Sequence, residues 1–358
     1  MDYLEGLTYL VERADIFAGK DIHITVIANP VAGGFVIAKR VKQNQIFLAE
    51  ATAKVQDKPV VTNTCTATIQ FTTNSSHART LARSVLEAAL NESNPATLYL
   101  VITAGGDGTS LDVQNEIAHM YFHEHHPELA DRICLIRLPF GTGNDGSDGR
   151  SLDQTLRLLT DSSVFFKQKA IRVYTKHNRE NPWYAFNIAS IGLDAFVTNM
   201  TNRVKNILPG DFYKIWVDLA CLFYNKIYHV GELAVTAFIN GEKIKEHSDR
   251  MVLYVMGVSG GRTYGSNQRI LPNEHNICGV KEMSLLRKLT LKKRFKEGAH
   301  STFPETILYT ADRLVFQYTE KILVQFDGEA HLLEESDFPL TMELTEPVIP
   351  ILKPRCQA

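Results

Sequence analysis

The sequence predicts a two-domain protein in which an α/β domain is followed by an antiparallel β domain. The first observation is the length of 358 residues, which corresponds to about two ordinary domains. The second is a change of pattern near residue 165, where alternating strand-like and helical segments give way to short strand-like segments. We therefore expect one domain in residues 1–164 and a second in residues 165–346.

The composition is that of a folded protein. Hydrophobic residues make up 44% and charged residues 22%, which is close to the usual globular mixture and excludes general disorder. The 38 Lys and Arg nearly balance the 40 Asp and Glu, giving a net charge of −2. This balance excludes a polycation built for nucleic acid, so we expect no nucleic-acid partner.

Cysteine use and hydropathy predict a cytoplasmic protein. The five cysteines are scattered without a Cys-x-x-Cys pair, which is typical of a reducing compartment and not of a disulfide framework. The first residues lack the basic start and apolar core of a secretory signal. No apolar run has the roughly 18–20 residues of a membrane span.

Strands and helices are predicted to alternate through the first domain. After a helix within residues 1–20, the predicted segments are strand Ile22–Ala28, helix Phe35–Glu50, strand Val60–Thr72, helix Ser75–Asn91, strand Thr97–Thr103, helix Thr109–His123 and strand Ile133–Leu138. This alternation predicts a mainly parallel sheet covered by helices on both faces.

The second half has short apolar and β-branched segments typical of strands. These are Ala170–Tyr174, Tyr184–Ala189, Glu232–Ile239, Met251–Val258, Leu314–Tyr318 and Ile322–Phe326. Asn240-Gly241 predicts a two-residue hairpin turn. One helical stretch, from about Asp194 to Lys226 with a break at Pro209-Gly210, interrupts these strands.

Three glycine-rich loops each follow a predicted strand of the first domain. They are Asn29–Gly34, Gly105–Thr109 and Pro139–Asp145. Ligands of an open α/β sheet bind at the carboxyl ends of its strands. There, glycine allows the backbone to approach phosphate oxygens, and a helix start offers unpaired N–H groups. A single such loop is usually only a turn, whereas three in succession predict a phosphate site.

Two common nucleotide motifs do not explain these loops. The Walker A ending Gly-Lys-Ser/Thr is absent, which excludes a P-loop enzyme. The glycines Gly141, Gly143 and Gly146 have the spacing of a dinucleotide fingerprint, but Ser147-Asp148-Gly149 follows them instead of a helix.

The loops resemble signatures of the diacylglycerol kinase catalytic domain family. Gly105–Thr109, with Asp112 and Asn115 behind it, resembles the nucleotide loop, and Pro139–Asp145 resembles the second signature. The resemblance covers roughly residues 22–354 and includes Asn29-Pro30 with Gly33 and Gly34, Asn187–Ala195, Gly260-Gly261 followed by Pro272, and Asp327–Glu329. NAD kinases and sphingosine kinases share the Gly-Gly-Asp-Gly-Thr run, but the Pro139–Asp145 loop favours the diacylglycerol kinase branch.

The resemblance implies a fold and an activity. The implied fold is an N-terminal α/β nucleotide-binding domain and a C-terminal antiparallel β-sandwich, with the active site in the cleft between them and residues 347–358 returning to the first domain. The implied activity is that of an ATP- and Mg²⁺-dependent lipid kinase that phosphorylates diacylglycerol to phosphatidic acid. A kinase for another lipid alcohol such as a sphingoid base, a catalytically silent nucleotide- or lipid-binding module and an NAD kinase remain alternatives.

The resemblance also implies roles for individual residues. Asp107 and Asp145 place Mg²⁺ and ATP, Glu329 is the general base, and Asp327 supports the metal network. The predicted nucleotide-binding residues are Asn29, Pro30, Gly33, Gly34, Gly105, Gly106, Asp107, Gly108, Thr109, Gly141, Thr142, Gly143 and Asn144.

The chain departs from the family pattern at two places. Cys278-Gly279 stands where relatives often carry an Asp-Gly pair that helps to bind a metal, which puts that metal site in doubt. Gly146–Gly149 replaces an apolar residue and Ala-Arg, which predicts a longer and more mobile loop.

The basic run Arg287–Lys296 has two interpretations. It is either a solvated face or a surface that contacts an anionic membrane, in which case the protein is peripherally membrane-associated. The oligomeric state is left open, with a homodimer as one option.

Overall fold

The computed structural model describes residues 3–74, 76–141, 143–204, 224–265 and 268–355. The chain divides into two compact units, of which the first comprises Met1–Lys169 with Pro347–Ala358 and the second Ala170–Glu346. It passes from one unit to the other within two long strands, Ser163–Tyr174 and Leu340–Pro354. No helix among the described residues is long and apolar enough to cross a membrane.

The first unit is an α/β domain, as predicted. Its helices are α1 (Tyr3–Glu12), α2 (Gly33–Val36), α3 (Ala38–Lys54), α4 (His77–Asn91), α5 (Asp107–Phe122), α6 (Leu129–Arg132) and α7 (Leu152–Thr160). Its strands are β1 (Asp21–Ala28), β2 (Thr64–Phe71), β3 (Thr97–Gly105) and β4 (Ile133–Pro139). They pair in the order β2-β1-β3-β4, and every pair is parallel. The last strand of the chain adds a parallel bridge from Ile351 to Leu135 of β4.

Burial explains why these strands form. Every residue of β4 is buried, and so is nearly every residue of β3, because the central strands of a parallel sheet are covered on both faces. The edge strand β2 instead alternates exposed and half-buried residues. The core of this unit includes Ile24, Leu100, Ile102 and Ile136, all almost fully buried.

The second unit is rich in antiparallel strands. These are β5 (Ser163–Tyr174), β6 (Trp183–Ala185), β7 (Ile188–Gly192), β8 (Glu232–Ile239), β9 (Glu242–Gly257), β10 (Ile277–Lys281), β11 (Thr306–Tyr309), β12 (Arg313–Gln317), β13 (Ile322–Phe326), β14 (Glu329–Leu333) and β15 (Leu340–Pro354). Its described helices are α8 (Leu193–Val204), α9 (Tyr224–Ile227) and α10 (Leu285–Glu297). The predicted helix break at Pro209-Gly210 lies outside the described residues.

The long strand β9 links two ladders. Its first half pairs with β8, and its second half pairs with β7 on one side and β10 on the other. The turn that starts β9 is the predicted one, with left-handed φ values of 51° at Asn240 and 84° at Gly241. The antiparallel character is thus confirmed, whereas the sandwich arrangement stays a prediction.

One predicted strand is two strands in the structure. The segment Tyr184–Ala189 is divided into β6 and β7 at Phe186 and Asn187. The backbone N–H groups of both residues donate to the carboxylate of Asp327. Because these donors bind a side chain, they are not available to a sheet ladder, and the strand is interrupted.

Candidate active site

The first glycine-rich loop is joined to the third. The side chain of Asn29, just after β1, accepts a hydrogen bond from the Val31 N–H at 3.2 Å and so shapes the turn. The Gly34 N–H donates to the Phe140 carbonyl at 2.8 Å. A Cβ atom at Gly34 would lie 2.4 Å from the Phe140 ring, so only glycine allows this approach. The first loop therefore lies directly against the third.

The second loop leads from β3 into the start of a long helix. Gly106 is the N-cap of α5, and Asp107, Gly108 and Thr109 form its first turn. The first N–H groups of a helix lack partners within the helix and carry the positive end of its dipole. Thr109 packs on Gly105, where a Cβ atom would lie 2.4 Å from the threonine Oγ1. This start of α5 is suited to binding an anion.

The second and third loops are in backbone contact. A Cβ atom at Gly141 would lie 2.2 Å from the Cα atom of Gly106, and one at Gly143 would lie 2.4 Å from Oδ2 of Asp107. The other carboxylate oxygen of Asp107 accepts a hydrogen bond from the Gly146 N–H at 2.9 Å. The half-exposed Asp107 is therefore held against the third loop, in a place that requires glycine.

The third loop carries two further predicted residues. Asn144 has a left-handed φ of 60°, and its amide group donates to the Gly141 carbonyl at 3.0 Å. The Oδ1 atom of Asn144 is buried without a hydrogen-bond partner among the described residues. Asp145 is half-exposed on the same loop. Thr142, which the sequence also predicts to bind nucleotide, lies outside the described residues.

Arg40 is a residue of this site that the sequence reasoning missed. It belongs to α3, and its Nη2 atom donates to the Gly141 carbonyl at 2.6 Å and to the Pro139 carbonyl at 3.4 Å. Its Nη1 atom lies 2.6 Å from the position that a Cβ atom of Gly33 would occupy. A half-buried guanidinium thus lies among the loops and suits phosphate recognition. The basic pair Lys39-Arg40 after the first loop is the signal that could have indicated it.

These groups fit the phosphates of a nucleotide. Helix N–H groups, glycine backbone and one arginine, all of which favour a negatively charged group, converge here. In the described part of the chain, no group of three or more His, Cys, Asp or Glu could hold a metal by itself. Mg²⁺ is usually held by one or two carboxylates together with substrate phosphates. Asp107 and Asp145 fit that pattern, and their roles stay predictions.

In the second unit, Asp327 stabilises the turn between β13 and β14. It has a left-handed φ of 47°, followed by 102° at Gly328. Its carboxylate accepts backbone N–H groups from Phe186, from Asn187 at 3.1 Å and from Ile188 at 2.9 Å. The observed contacts of Asp327 are therefore structural, and its predicted metal role stays a prediction.

Glu329 is exposed at the start of β14, and buried polar groups support the turn before it. The Gln325 Oε1 atom accepts the Gly328 N–H at 3.1 Å. The Gln325 Nε2 atom donates to Ser190 Oγ at 2.9 Å and to Asp194 Oδ2 at 3.0 Å. Burial raises the pKa of Asp194 from its usual value. The turn that presents Glu329 is thus fixed by a connected network.

The two departures from the family pattern have visible consequences. Cys278 is fully buried in β10, and burial raises the pKa of its thiol to about 12. The thiolate, which is the form that binds metals, is therefore disfavoured. In the second departure, Gly146–Gly149, the Asp148 side chain is buried and forms an ion pair with Arg137. This contact anchors the segment that the sequence predicts to be mobile.

Part of the basic run Arg287–Lys296 forms contacts within the protein. Arg287 in α10 pairs with Glu305 at 2.7 Å. The Lys288 ammonium donates to Asn225 Oδ1 at 2.7 Å, and partial burial lowers its pKa. Exposed basic side chains follow at Lys293, Arg294 and Lys296. Of these three, Arg294 also lies 3.6 Å from the Glu297 carboxylate.

Comparison with known proteins finds a family model that matches most of the first unit. Residues 23–173 match the model of the diacylglycerol kinase catalytic domain, which confirms the resemblance predicted from the loops. This segment, which contains all three glycine-rich loops, is therefore similar to that domain.

Curated relatives of this chain carry lipid kinase names. A protein of Stenotrophomonas maltophilia strain K279a, named "Probable lipid kinase YegS-like", is 25% identical over 219 residues, which are 58% of this chain and 64% of that protein. A protein of the same name from Xanthomonas euvesicatoria pv. vesicatoria strain 85-10 is 25% identical over 198 residues, covering 54% of this chain and 57% of that protein. The chain thus spans less than two thirds of the length of these relatives.

Solved structures support the fold over more of the chain. Two structures from Bacillus anthracis strain Sterne align with TM-scores of 0.57 and 0.54 and sequence identities of 19% and 16%. They cover 93% and 94% of this chain and 98% of each of those chains, and the second is described as a diacylglycerol kinase. At this identity, the likeness establishes the fold alone.

Proposed function

We propose that this protein is an ATP- and Mg²⁺-dependent lipid kinase that transfers the γ-phosphate of ATP to the hydroxyl group of diacylglycerol. The products are phosphatidic acid and ADP. The observation that carries the proposal is the contact of Asp107, in the first turn of α5, with Gly143 of the third loop and with Gly146 just after it. The family match of residues 23–173 and the names of the relatives support it.

The first unit would bind and orient the nucleotide. The N–H groups at the start of α5 and the glycine backbone would receive phosphate oxygens, and the Arg40 guanidinium would offset their negative charge. Asp107 and Asp145 would hold Mg²⁺, which supplies neutralisation of the charge that develops on the transferred group. Phosphoryl transfer depends mainly on such positioning and charge stabilisation.

Glu329 would act on the acceptor. As the hydroxyl oxygen of the lipid bonds to the γ-phosphorus, the bond from that phosphorus to the β-phosphate bridging oxygen breaks and ADP leaves. The hydroxyl proton passes to the Glu329 carboxylate, which is exposed and can therefore receive it. The Asp327 and Gln325 contacts would hold the turn that carries this glutamate.

The acceptor is tested by transfer of label from γ-³²P-ATP. The purified protein is given diacylglycerol, sphingosine or monoacylglycerol in mixed micelles, and glycerol or NAD in solution. We expect Mg²⁺-dependent label in phosphatidic acid. Label in another lipid would identify that lipid as the acceptor. Label in NAD would show that the protein is an NAD kinase. ATP binding without any labelled product would favour the catalytically silent module.

We also propose that α10 brings the protein to an anionic membrane surface, where its acceptor would lie. Lys293, Arg294 and Lys296 are exposed on the last turns of this helix. Each basic residue close to such a surface contributes about 1 kcal/mol of attraction, which weakens as salt rises.

A further inference from the structure

A buried ion pair closes the base of the third glycine-rich loop. The side chain of Arg137, in β4, is 7% exposed, and that of Asp148, on the returning chain, is 4% exposed. The residues between them include Gly141, Gly143 and Asn144, which are the predicted nucleotide-binding positions of this loop. Asp148 lies in the segment where the chain departs from the family pattern, so family motifs do not account for the pair.

The pair is bonded through both backbone and side chains. The Arg137 N–H donates to Asp148 Oδ2 at 2.7 Å, and the Asp148 N–H donates to the Arg137 carbonyl at 3.1 Å. The Nη2 and Nε atoms of Arg137 donate to Asp148 Oδ1 at 2.5 and 3.1 Å. A charge-assisted contact in which two guanidinium N–H groups and one backbone N–H bind the same carboxylate permits few other geometries. It therefore holds Asp148, which follows the third loop, against β4, which precedes the loop.

The same arginine reaches the helix that carries Asp107. The Nη1 atom of Arg137 donates to Gln114 Oε1 at 2.9 Å, and the amide group of Gln114 donates to the Ser110 carbonyl at 3.1 Å, both within α5. Two residues before Asp148, the Gly146 N–H donates to the Asp107 carboxylate. Arg137 and Asp148 thus connect β4, the third loop and α5 at the place where the second and third loops meet.

We propose that Arg137 and Asp148 are positioning residues for phosphoryl transfer, which set the third loop against Asp107 and so align the bound ATP. This inference rests on the proposed function. A buried ion pair adds little net stability compared with apolar residues of similar volume, because desolvation offsets its attraction. Its effect here is geometric, and a small displacement of a bound reactant can lower the rate by about 10²-fold.

The test replaces both charges at once, because removing one partner would leave the other buried and unpaired. In the variant R137M/D148L we expect a folded protein whose kcat/KM for ATP falls about 10²-fold. The KM for the lipid at saturating ATP should stay close to that of the parent. The control is R83M/E116L, which removes another ion pair of the first unit, in which the Glu116 side chain is 4% exposed. It also removes the contacts of Arg83 with Glu87 and Glu124 and of Glu116 with Arg79. It should keep the parent's kcat/KM for ATP.

A second readout does not depend on activity. Amide hydrogen exchange at Gly143–Ser147 should become at least about tenfold faster in R137M/D148L and stay unchanged in R83M/E116L, because local opening governs exchange. A parent without phosphoryl transfer would refute the proposed function, and the exchange rates would then decide whether the pair positions the loop. Unchanged exchange with unchanged kcat/KM for ATP in R137M/D148L would overturn the inference.

Discussion

Asp327 and Glu329 belong to the same hairpin turn, but their surroundings separate their roles. The Asp327 carboxylate accepts backbone N–H groups from the connection between β6 and β7. Glu329 is exposed. A carboxylate that must take a proton from a substrate has to be accessible, whereas one that binds several amides stabilises the backbone. At the scale of the residue, Glu329 is therefore the better candidate for the general base.

Replacing Glu329 by Gln tests this assignment. The change keeps size and hydrogen bonding but removes the proton acceptor, so turnover should fall roughly 10²–10⁴-fold. The affinity for ATP should change little, because the glycine-rich loops belong to the other unit. Initial rates and isothermal titration with an ATP analogue measure the two effects.

The matched control is Glu335→Gln, which alters another exposed glutamate of the same unit and should leave turnover unchanged. If Glu329→Gln instead loses ATP affinity while turnover per bound ATP is preserved, Glu329 supports the metal. Asp145 would then be the next candidate for the base.

Asp194 makes a pH-dependent contribution to stability. Burial raises its folded pKa above the ordinary value of 3.8, so the folded state binds this proton more tightly than the unfolded state. Stability therefore falls as pH rises from about 4 through the folded pKa. Asn has the same shape without titrating. We expect Asp194→Asn to gain stability relative to the parent over that range.

Urea unfolding of both proteins between about pH 4 and pH 7 measures this difference. Charges elsewhere affect both proteins alike and cancel in the comparison. A parent that gains stability relative to Asp194→Asn as pH rises would show that hydrogen bonds from Ser190 and Gln325 outweigh burial.

At the scale of elements, the second and third glycine-rich loops are in close backbone contact. A Cβ atom at Gly141 would meet the Gly106 backbone at 2.2 Å, which flexible side chains cannot relieve. We expect Gly141→Ala to destabilise the protein by about 1–3 kcal/mol. Gly108 is exposed in the first turn of α5 with nothing within 4 Å of its Cβ position. Gly108→Ala should therefore gain up to about 1 kcal/mol from helix propensity.

Thermal or urea unfolding distinguishes the two glycines. Equal stability of Gly141→Ala and the parent would show that the loops separate readily, which contradicts their contact. The comparison concerns stability alone, since a nucleotide could also require glycine at either position.

The exposed end of α10 gives a further prediction at this scale. Replacing Lys293, Arg294 and Lys296 by Gln should weaken binding to anionic vesicles by about 1 kcal/mol per residue, and the parent's binding should fall with salt. Vesicle sedimentation measures both effects. A control replaces Lys42, Lys54 and Lys243, which are exposed elsewhere. Equal binding of the parent to neutral and anionic vesicles would contradict an electrostatic contact.

Helices and strands could be predicted where the local sequence pattern determines them. Buried central strands read as continuous apolar runs, so β1, β3 and β4 lie close to their predicted bounds. The break between β6 and β7 was not predictable, because it depends on Asp327, which is distant in sequence. Helix α7 had local signals that were missed, namely its N-cap at Ser151 and a stripe of buried leucines.

For the molecule as a whole, the sequence located the loops but not the contacts between them. Glycine runs and Asp107 are local signals, and they indicated the three loops and the resemblance to the family. Arg40 contacts Gly141, 101 positions away, and Asp148 contacts Arg137, 11 positions away, and the sequence pattern indicates neither partner. Arg137 had one usable signal, a charged residue within the buried apolar strand Ile133–Pro139, since a buried charge requires a partner.

The proposed kinase activity and nucleotide site are tested most directly by ATP-dependent formation of labelled phosphatidic acid. The rate is measured for the parent and for Asp107→Ala. Asp107 lies in a half-exposed helix turn outside the core, so the variant should fold. It should nevertheless lose at least about 10³-fold in rate, because a carboxylate that supports the metal and phosphates is removed. Asp131→Ala, at a surface carboxylate that is 77% exposed and paired with Lys167, should keep the parent's rate. Near-normal turnover by Asp107→Ala would contradict the assignment of the nucleotide site.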